Sequence, residues 1–236
     1  LINLYKMLEQ NKHRKYMYNI IMKIFDSKLK QNLALKWWTL CYFLHQLTRF
    51  STDLDFDIIN ESDDIAKNVK NILEDMWNIK DMYQKQNTIF FLFDYEKLWH
   101  NIKLEISKRK YLNNTYENIN FFGKDITAMA KDSIFANKLV ACSQRFKNRD
   151  IFDIHFFFKE KYPVNKSLIK ERTGKSYRDF LLELKNELPK HYSENSILAE
   201  MWDLIDNKQK IFVKKKLLLE TLELINFAIF EEENPM

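Results

Sequence analysis

The sequence predicts an α+β protein, a mixed-sheet domain followed by a helical bundle, and three observations carry that expectation. Residues 53–59 alternate strictly between acidic and apolar side chains, as a strand with one apolar face does. Residues 88–95 and 101–107 are further runs of strand composition. From Asp132 almost to the end, apolar residues recur at helical spacing. The expected division is therefore 1–130 for the sheet domain and 131–236 for the bundle.

Taken in order, Leu4, Leu8, Met17, Ile20, Ile21 and Ile24 predict one or two helices packed outside the sheet. Leu33-Ala34-Leu35 is a short apolar run, after which Leu40, Phe43, Leu44 and Leu47 resume helical spacing. In the strand that follows, Asp53, Asp55 and Asp57 share one face and Leu54, Phe56 and Ile58 the other. A helix is expected from Ser62 to Tyr83, with Ser62 as N-cap and Asp63 and Asp64 at its positive end. TIFFLFDY (88–95) and NIKLEIS (101–107) read as neighbouring strands, and a hairpin is expected around Gly123-Lys124. Helices are expected at 134–146, 150–161, 177–188 and 198–230, the last interrupted near Asp206-Asn207. Pro163, Gly174 and Pro189 punctuate them.

Composition narrows the function. With only two glycines, Gly123 and Gly174, no glycine-rich phosphate loop can be written, which excludes Rossmann and P-loop enzymes. Hydrophobic residues make up 46% of the chain and aromatics 15%, enough for a sizeable core. Cys41 and Cys142 lie in apolar-periodic stretches and read as buried free thiols. No run is apolar enough to span a bilayer and no secretory signal is evident, so no membrane partner and a cytoplasmic location are expected. A net charge of +5 permits phosphate binding without demanding it. The five histidines lack metal-ligand spacing, and the lysine run from Lys208 to Lys216 reads as a solvated helix face.

Two constellations suit chemistry on phosphates. Asp53 and Asp55 stand about 7 Å apart on one strand face, an arrangement that suits magnesium, which takes one or two carboxylates plus substrate phosphates. On the strand 101–107, Lys103, Glu105 and Ser107 share a face, so Glu105 becomes a third metal carboxylate if that strand pairs near the first. Farther on, Lys138, Arg145 and Arg149 project within roughly 40° of one another if one helix carries all three. They would then rim the apolar stripe of Phe135, Leu139, Cys142 and Phe146, with Asp150 and Asp153 opening the next helix.

Three separated segments carry a further signal. The first is Ala34 to Leu40 followed by Arg49-Phe50-Ser51-Thr52-Asp53-Leu54-Asp55-Phe56, and the second is Ile102-Lys103-Leu104-Glu105-Ile106-Ser107. The third comprises Phe135-Ala136, Lys138-Leu139, Ala141, Arg145 and Arg149-Asp150-Ile151-Phe152-Asp153-Ile154. In order and spacing, over residues 33–158, they resemble the abortive-infection nucleotidyltransferase toxins, the AbiEii/AbiGii group. The resemblance implies a polymerase-β-like nucleotidyltransferase domain with a helical companion. It implies transfer of a nucleotide from magnesium–NTP to an acceptor, in some members the end of a tRNA, and a toxin paired with an antitoxin protein. By position it makes Asp53 and Asp55 metal ligands, joined by Glu105. It gives Lys138, Asp150 and Asp153 catalytic duties on the nucleotide and acceptor side. Arg145 and Arg149, with Thr39 and Ser51 of the first segment, would bind the nucleotide.

The chain departs from that pattern at Trp37-Trp38, where the family carries a Gly-Gly turn. Those glycines let backbone approach phosphates at a helix N-terminus, and two indoles are expected to obstruct the approach. Two other functions therefore stand beside nucleotidyl transfer: a catalytically inactive protein of this fold that binds RNA or a partner protein, and a kinase-like phosphotransferase.

Overall fold

The computed structural model of the chain describes residues 2–44, 47–96, 100–194 and 196–234. It divides into two compact units, residues 1–110 with 116–129 and residues 111–115 with 130–236.

The first unit is built on a seven-stranded mixed sheet. Its strands are β1 (Leu33–Lys36), β2 (Asp53–Ile58), β3 (Asn78–Lys85), β4 (Thr88–Glu96), β5 (His100–Ser107), β6 (Tyr116–Phe121) and β7 (Lys124–Met129). They lie in the order β3-β4-β5-β2-β1-β7-β6. β2 pairs parallel to β5, β1 parallel to β7, and the remaining neighbours are antiparallel. Side chains on successive residues point to opposite faces, and one face is apolar across the central strands. Leu54 and Phe56 of β2, Ile102, Leu104 and Ile106 of β5, and Phe91 and Phe93 of β4 are all fully buried there. The helix α1 (Ile2–Asp26) packs on β5 and on α3 (Ile65–Leu73), burying Met17, Ile20, Ile21, Ile24 and Phe25 at helical spacing. The opposite face of the sheet carries the polar residues of β2 and β5, and α2 (Trp37–Leu44) begins immediately where β1 ends.

The second unit is helical: α4 (Lys131–Arg145), α5 (Asn148–Lys159), α6 (Lys166–Thr173), α7 (Tyr177–His191), α8 (Asn207–Lys215) and α9 (Leu217–Glu233). α5 packs on α4 and α9, and α7 on α6 and α9, around Phe135, Leu139, Ile154, Phe157, Leu181 and Ile225.

The structure bears out the expected α+β class and the strands at 53–59, 88–95 and 101–107, and it differs in four places. The helix expected from Ser62 to Tyr83 ends at Leu73, and residues 78–85 form β3 instead. β3 is an edge strand, largely exposed, with a bulge between Ile79 and Asp81, so it shows no apolar alternation and is held by pairing with β4. The N-cap of α3 is Asp64 rather than Ser62. The helix expected over 198–230 is instead a set of turns up to Ile205, then α8 and α9, separated at Lys216. Asp206 caps α8 through a capping box with Gln209, which is why the interruption falls there. Finally, α6 forms between Pro163 and Gly174 where no helix was expected; Asn165 caps its start, and Gly174, at φ 74°, ends it in the left-handed conformation that suits glycine.

Candidate active site

In the first unit, the parallel register of β2 and β5 brings the acidic residues together. Asp53 lies beside Lys103, Asp55 beside Glu105 and Asp57 beside Ser107, all on the face opposite the apolar one. On the other side of β2, Lys36 of β1 stands opposite Asp55. The Lys36 ammonium donates to Asp57 Oδ1 at 2.7 Å, and the Tyr116 hydroxyl donates to Asp57 Oδ2 at 3.1 Å. Asp57, only 2% exposed, is thereby a structural anchor, whereas Asp53 and Asp55 are part-exposed. Lys103 holds Glu105 at 2.5 Å, with both side chains about a third exposed.

The electrostatics of the face show a concentration of negative charge. Asp55 is pushed up to about 6 by burial, with Lys36 opposing the rise and Asp53 and Glu105 adding to it. Burial works against the Lys103 charge, but Glu105, Asp53 and Asp55 outweigh it and raise its pKa. A carboxylate raised this way is one that a cation relieves. Two carboxylates on one strand face, as Asp53 and Asp55 are, would suit a magnesium ion that also takes phosphate oxygens. Among the described residues, no three His, Cys, Asp or Glu side chains are gathered closely enough to hold an ion unaided. The donor set thus fits an ion that arrives with a nucleotide, and Glu105 joins it only by leaving Lys103.

The two expected nucleotide contacts nearby are buried. The Thr39 hydroxyl, in the first turn of α2, donates to the Asp53 carbonyl at 2.7 Å and is inaccessible to solvent. It pins the start of α2 to the start of β2. Ser51 is 3% exposed. The side chains of Trp37 and Trp38 lie outside the described residues. Sequence reading placed Lys103 on this face without giving it a role, and passed over Lys36. Alternation within β1, and the Lys-x-Glu pair in β5, were the available signals.

The third segment forms a separate cluster inside the second unit. Lys138 of α4 is 1% exposed, with Asp150 Oδ1 at 2.7 Å and Asp153 Oδ2 at 3.3 Å, both carboxylates fully buried on α5. Arg145 adds Nε to Asp150 Oδ2 at 2.6 Å and Nη2 to Oδ1 at 2.9 Å. Burial opposes ionisation of Asp150, yet Lys138 and Arg145 outweigh it and hold the group down at about 2. The expectation that Lys138, Arg145 and Arg149 share a helix face is corrected here. α4 ends at Arg145, Phe146 turns left-handed at φ 46°, and Arg149 belongs to α5. Lys138 is likewise inside the bundle rather than at the rim of an apolar stripe. Among the described residues, the Arg149 Nε is a buried donor with no acceptor.

The fold agrees with comparisons to known proteins. JHP933 from Helicobacter pylori matches with a TM-score of 0.60 and 24% identity, covering 95% of each chain. An H. pylori protein described as a candidate nucleotidyltransferase matches with a TM-score of 0.61 and 24% identity, over 96% of this chain and 98% of its own. An antigenic nucleotidyltransferase-like protein from Paracoccidioides brasiliensis matches at 0.50 and 14% identity, over 80% and 94%. No curated protein matches. The family of the nucleotidyl transferase AbiEii toxin, type IV TA system, matches residues 22–215. With its acidic strand, its mixed sheet and a family match spanning most of its length, this chain belongs to the AbiEii nucleotidyl transferase toxin family.

Proposed function

We propose that the chain transfers a nucleotide from a magnesium–NTP complex to an RNA acceptor, a tRNA end being the first to test, as the toxin partnered by an antitoxin protein. The observation that carries this reading is the β2–β5 register, which aligns Asp53, Asp55 and Glu105 on the open face where α2 begins. Asp53 and Asp55 hold the ion, with Glu105 as the third carboxylate once released from Lys103. Magnesium would supply neutralisation of phosphate charge and activation of the attacking hydroxyl. The acceptor hydroxyl gives up its proton to solvent and attacks the α-phosphorus in line; the new O–P bond forms as the bond from that phosphorus to the bridging oxygen breaks, and pyrophosphate leaves with that oxygen.

Residues 1–130 act as the catalytic domain and residues 131–236 as the helical companion. Lys138, Asp150 and Asp153 serve the reaction by fixing the α4–α5 geometry that presents Arg145 and Arg149 to phosphates. Thr39 acts in nucleotide binding by fixing the start of α2, and Ser51 is assigned to nucleotide binding with it. No helix among the described residues is long and apolar enough to cross a membrane, and we propose that the toxin works in the cytoplasm.

Incubation with NTPs labelled at the α or the γ position, together with total tRNA, tests the reading. Label from the α position on RNA, abolished by chelation, is the expected result. Label only from the γ position establishes a kinase. No label with retained RNA binding establishes the inactive protein that Trp37-Trp38 would favour.

A further inference from the structure

The registers of β2, β5, β4 and β3 define rows of side chains across the open face of the sheet, and one row runs Asp55, Glu105, Phe90, Tyr83. Its outer half is aromatic. The Tyr83 and Phe90 rings stack with centroids 4.5 Å apart and planes 11° from parallel. Lys103 Nζ lies 5.9 Å from the centroid of Phe90 and Lys85 Nζ 4.8 Å from that of Tyr83. The pair lies outside the apolar layer of the sheet, because β4 sends Ile89, Phe91 and Phe93 to that layer and Phe90 to the other face. Phe90 is covered, while Tyr83, at the edge of the sheet, is 37% exposed.

We propose that this aromatic row is the acceptor platform: an unpaired base of a single-stranded nucleic acid stacks on Tyr83, and its flanking phosphates are met by Lys85 and Lys103. The proposal rests on the assignment of Asp53 and Asp55 to nucleotidyl transfer and adds the path by which the acceptor reaches them. Three strand spacings separate Asp55 from Tyr83, about 14 Å. That is too far for the base of a nucleotide whose α-phosphate is at the acidic pair, and it suits a base farther back along an acceptor strand. Sheets that display aromatics beside cations bind single strands in this way, since every base has a face to stack and every residue a phosphate to neutralise. Charge supports the same occupant. Lys85 is exposed at the end of β3, on the same face as Tyr83, and can swing its ammonium from the Tyr83 ring onto a phosphate.

The test is fluorescence anisotropy of the full chain with a short labelled oligoadenylate, without NTP, alongside the α-label transfer assay. Wild type is expected to bind, and Tyr83→Ala to weaken binding by roughly fivefold to a hundredfold, the worth of one base–aromatic stack. Tyr83→Phe keeps the ring and should bind within about twofold of wild type. Tyr83→Leu keeps Phe90 covered without a ring, and it replaces the alanine variant if a thermal melt shows that variant unfolded. Tyr83-dependent binding without any transfer upholds the platform and sinks the transfer reading. Transfer whose acceptor KM is indifferent to Tyr83 does the reverse. Equal affinity of the ring-less variants and wild type, or no binding of the oligonucleotide by wild type, overturns the proposal.

Discussion

Asp55 gives a quantitative handle on the acidic face. In metal-free buffer its carboxyl is pushed up to about 6 from an ordinary value of 3.8, first by burial and then by Asp53 and Glu105. Below both values the group is protonated whether the chain is folded or not, and it contributes nothing. Between them the unfolded chain releases the proton while the folded one keeps it, so stability falls as pH rises. Above about 6 the cost levels off near 3 kcal/mol, the two values being roughly two decades apart. Asp55→Asn removes that cost. The variant is therefore expected to unfold at higher urea than wild type at pH 7, with the gap shrinking as pH falls and vanishing below the ordinary value of 3.8. Urea titrations followed by circular dichroism at several pH values measure it. Magnesium should raise wild-type stability at pH 7 and leave the variant unmoved. A variant no more stable at pH 7, or a gap that does not change with pH, would refute the account of a strained carboxylate.

Other outcomes follow from the same geometry. Asp53→Asn and Asp55→Asn should each reduce label transfer from the α position to background while leaving the circular dichroism spectrum unchanged. Lys138→Met strands two buried carboxylates and should destabilise the second unit by about 3–5 kcal/mol, read by urea unfolding. Stability from Asp150 is present above the ordinary carboxylate value and should be lost in wild type as pH falls toward 2. From sequence, Trp37→Gly/Trp38→Gly should stay folded and bind magnesium–NTP more tightly than the parent. Calorimetric titration beside a thermal melt decides that, and a folded variant with no gain shows that these positions do not gate the nucleotide.

What was legible beforehand depended on whether burial is periodic. β2, β4 and β5 each show an apolar face at every second residue, so the strands and the shared face of Asp53 and Asp55 were readable. The partnership of Glu105 was readable only as a condition, because strand neighbours are set by long-range pairing that one chain's pattern does not record. β3 was misread since its edge position buries little, and a mostly polar stretch after an amphipathic helix extends that helix on paper. Lys138 was misread for a different reason. Its charge suggests solvent, but two carboxylates from the next helix neutralise it in the interior, and an ion pair of that kind leaves no trace in hydropathy. The break after Arg145 was hidden too, since Phe146 adopts a left-handed conformation that its residue type does not advertise.

The parallel pairing of β2 with β5 also bears on how this protein can change over generations. The two strands belong to one row only because a side-chain period of two is kept in both. Adding or deleting one residue inside β5 would turn Glu105 toward the apolar layer and bring Leu104 or Ile106 to the open face. Substitution at one of these positions changes one side chain, but a change of length displaces the whole row. Tolerated insertions are therefore confined to the turns of the excursion between β2 and β5, such as 59–64, 74–77 and 86–87. In descendants of this chain, changes of length should collect in those turns and spare the two strands.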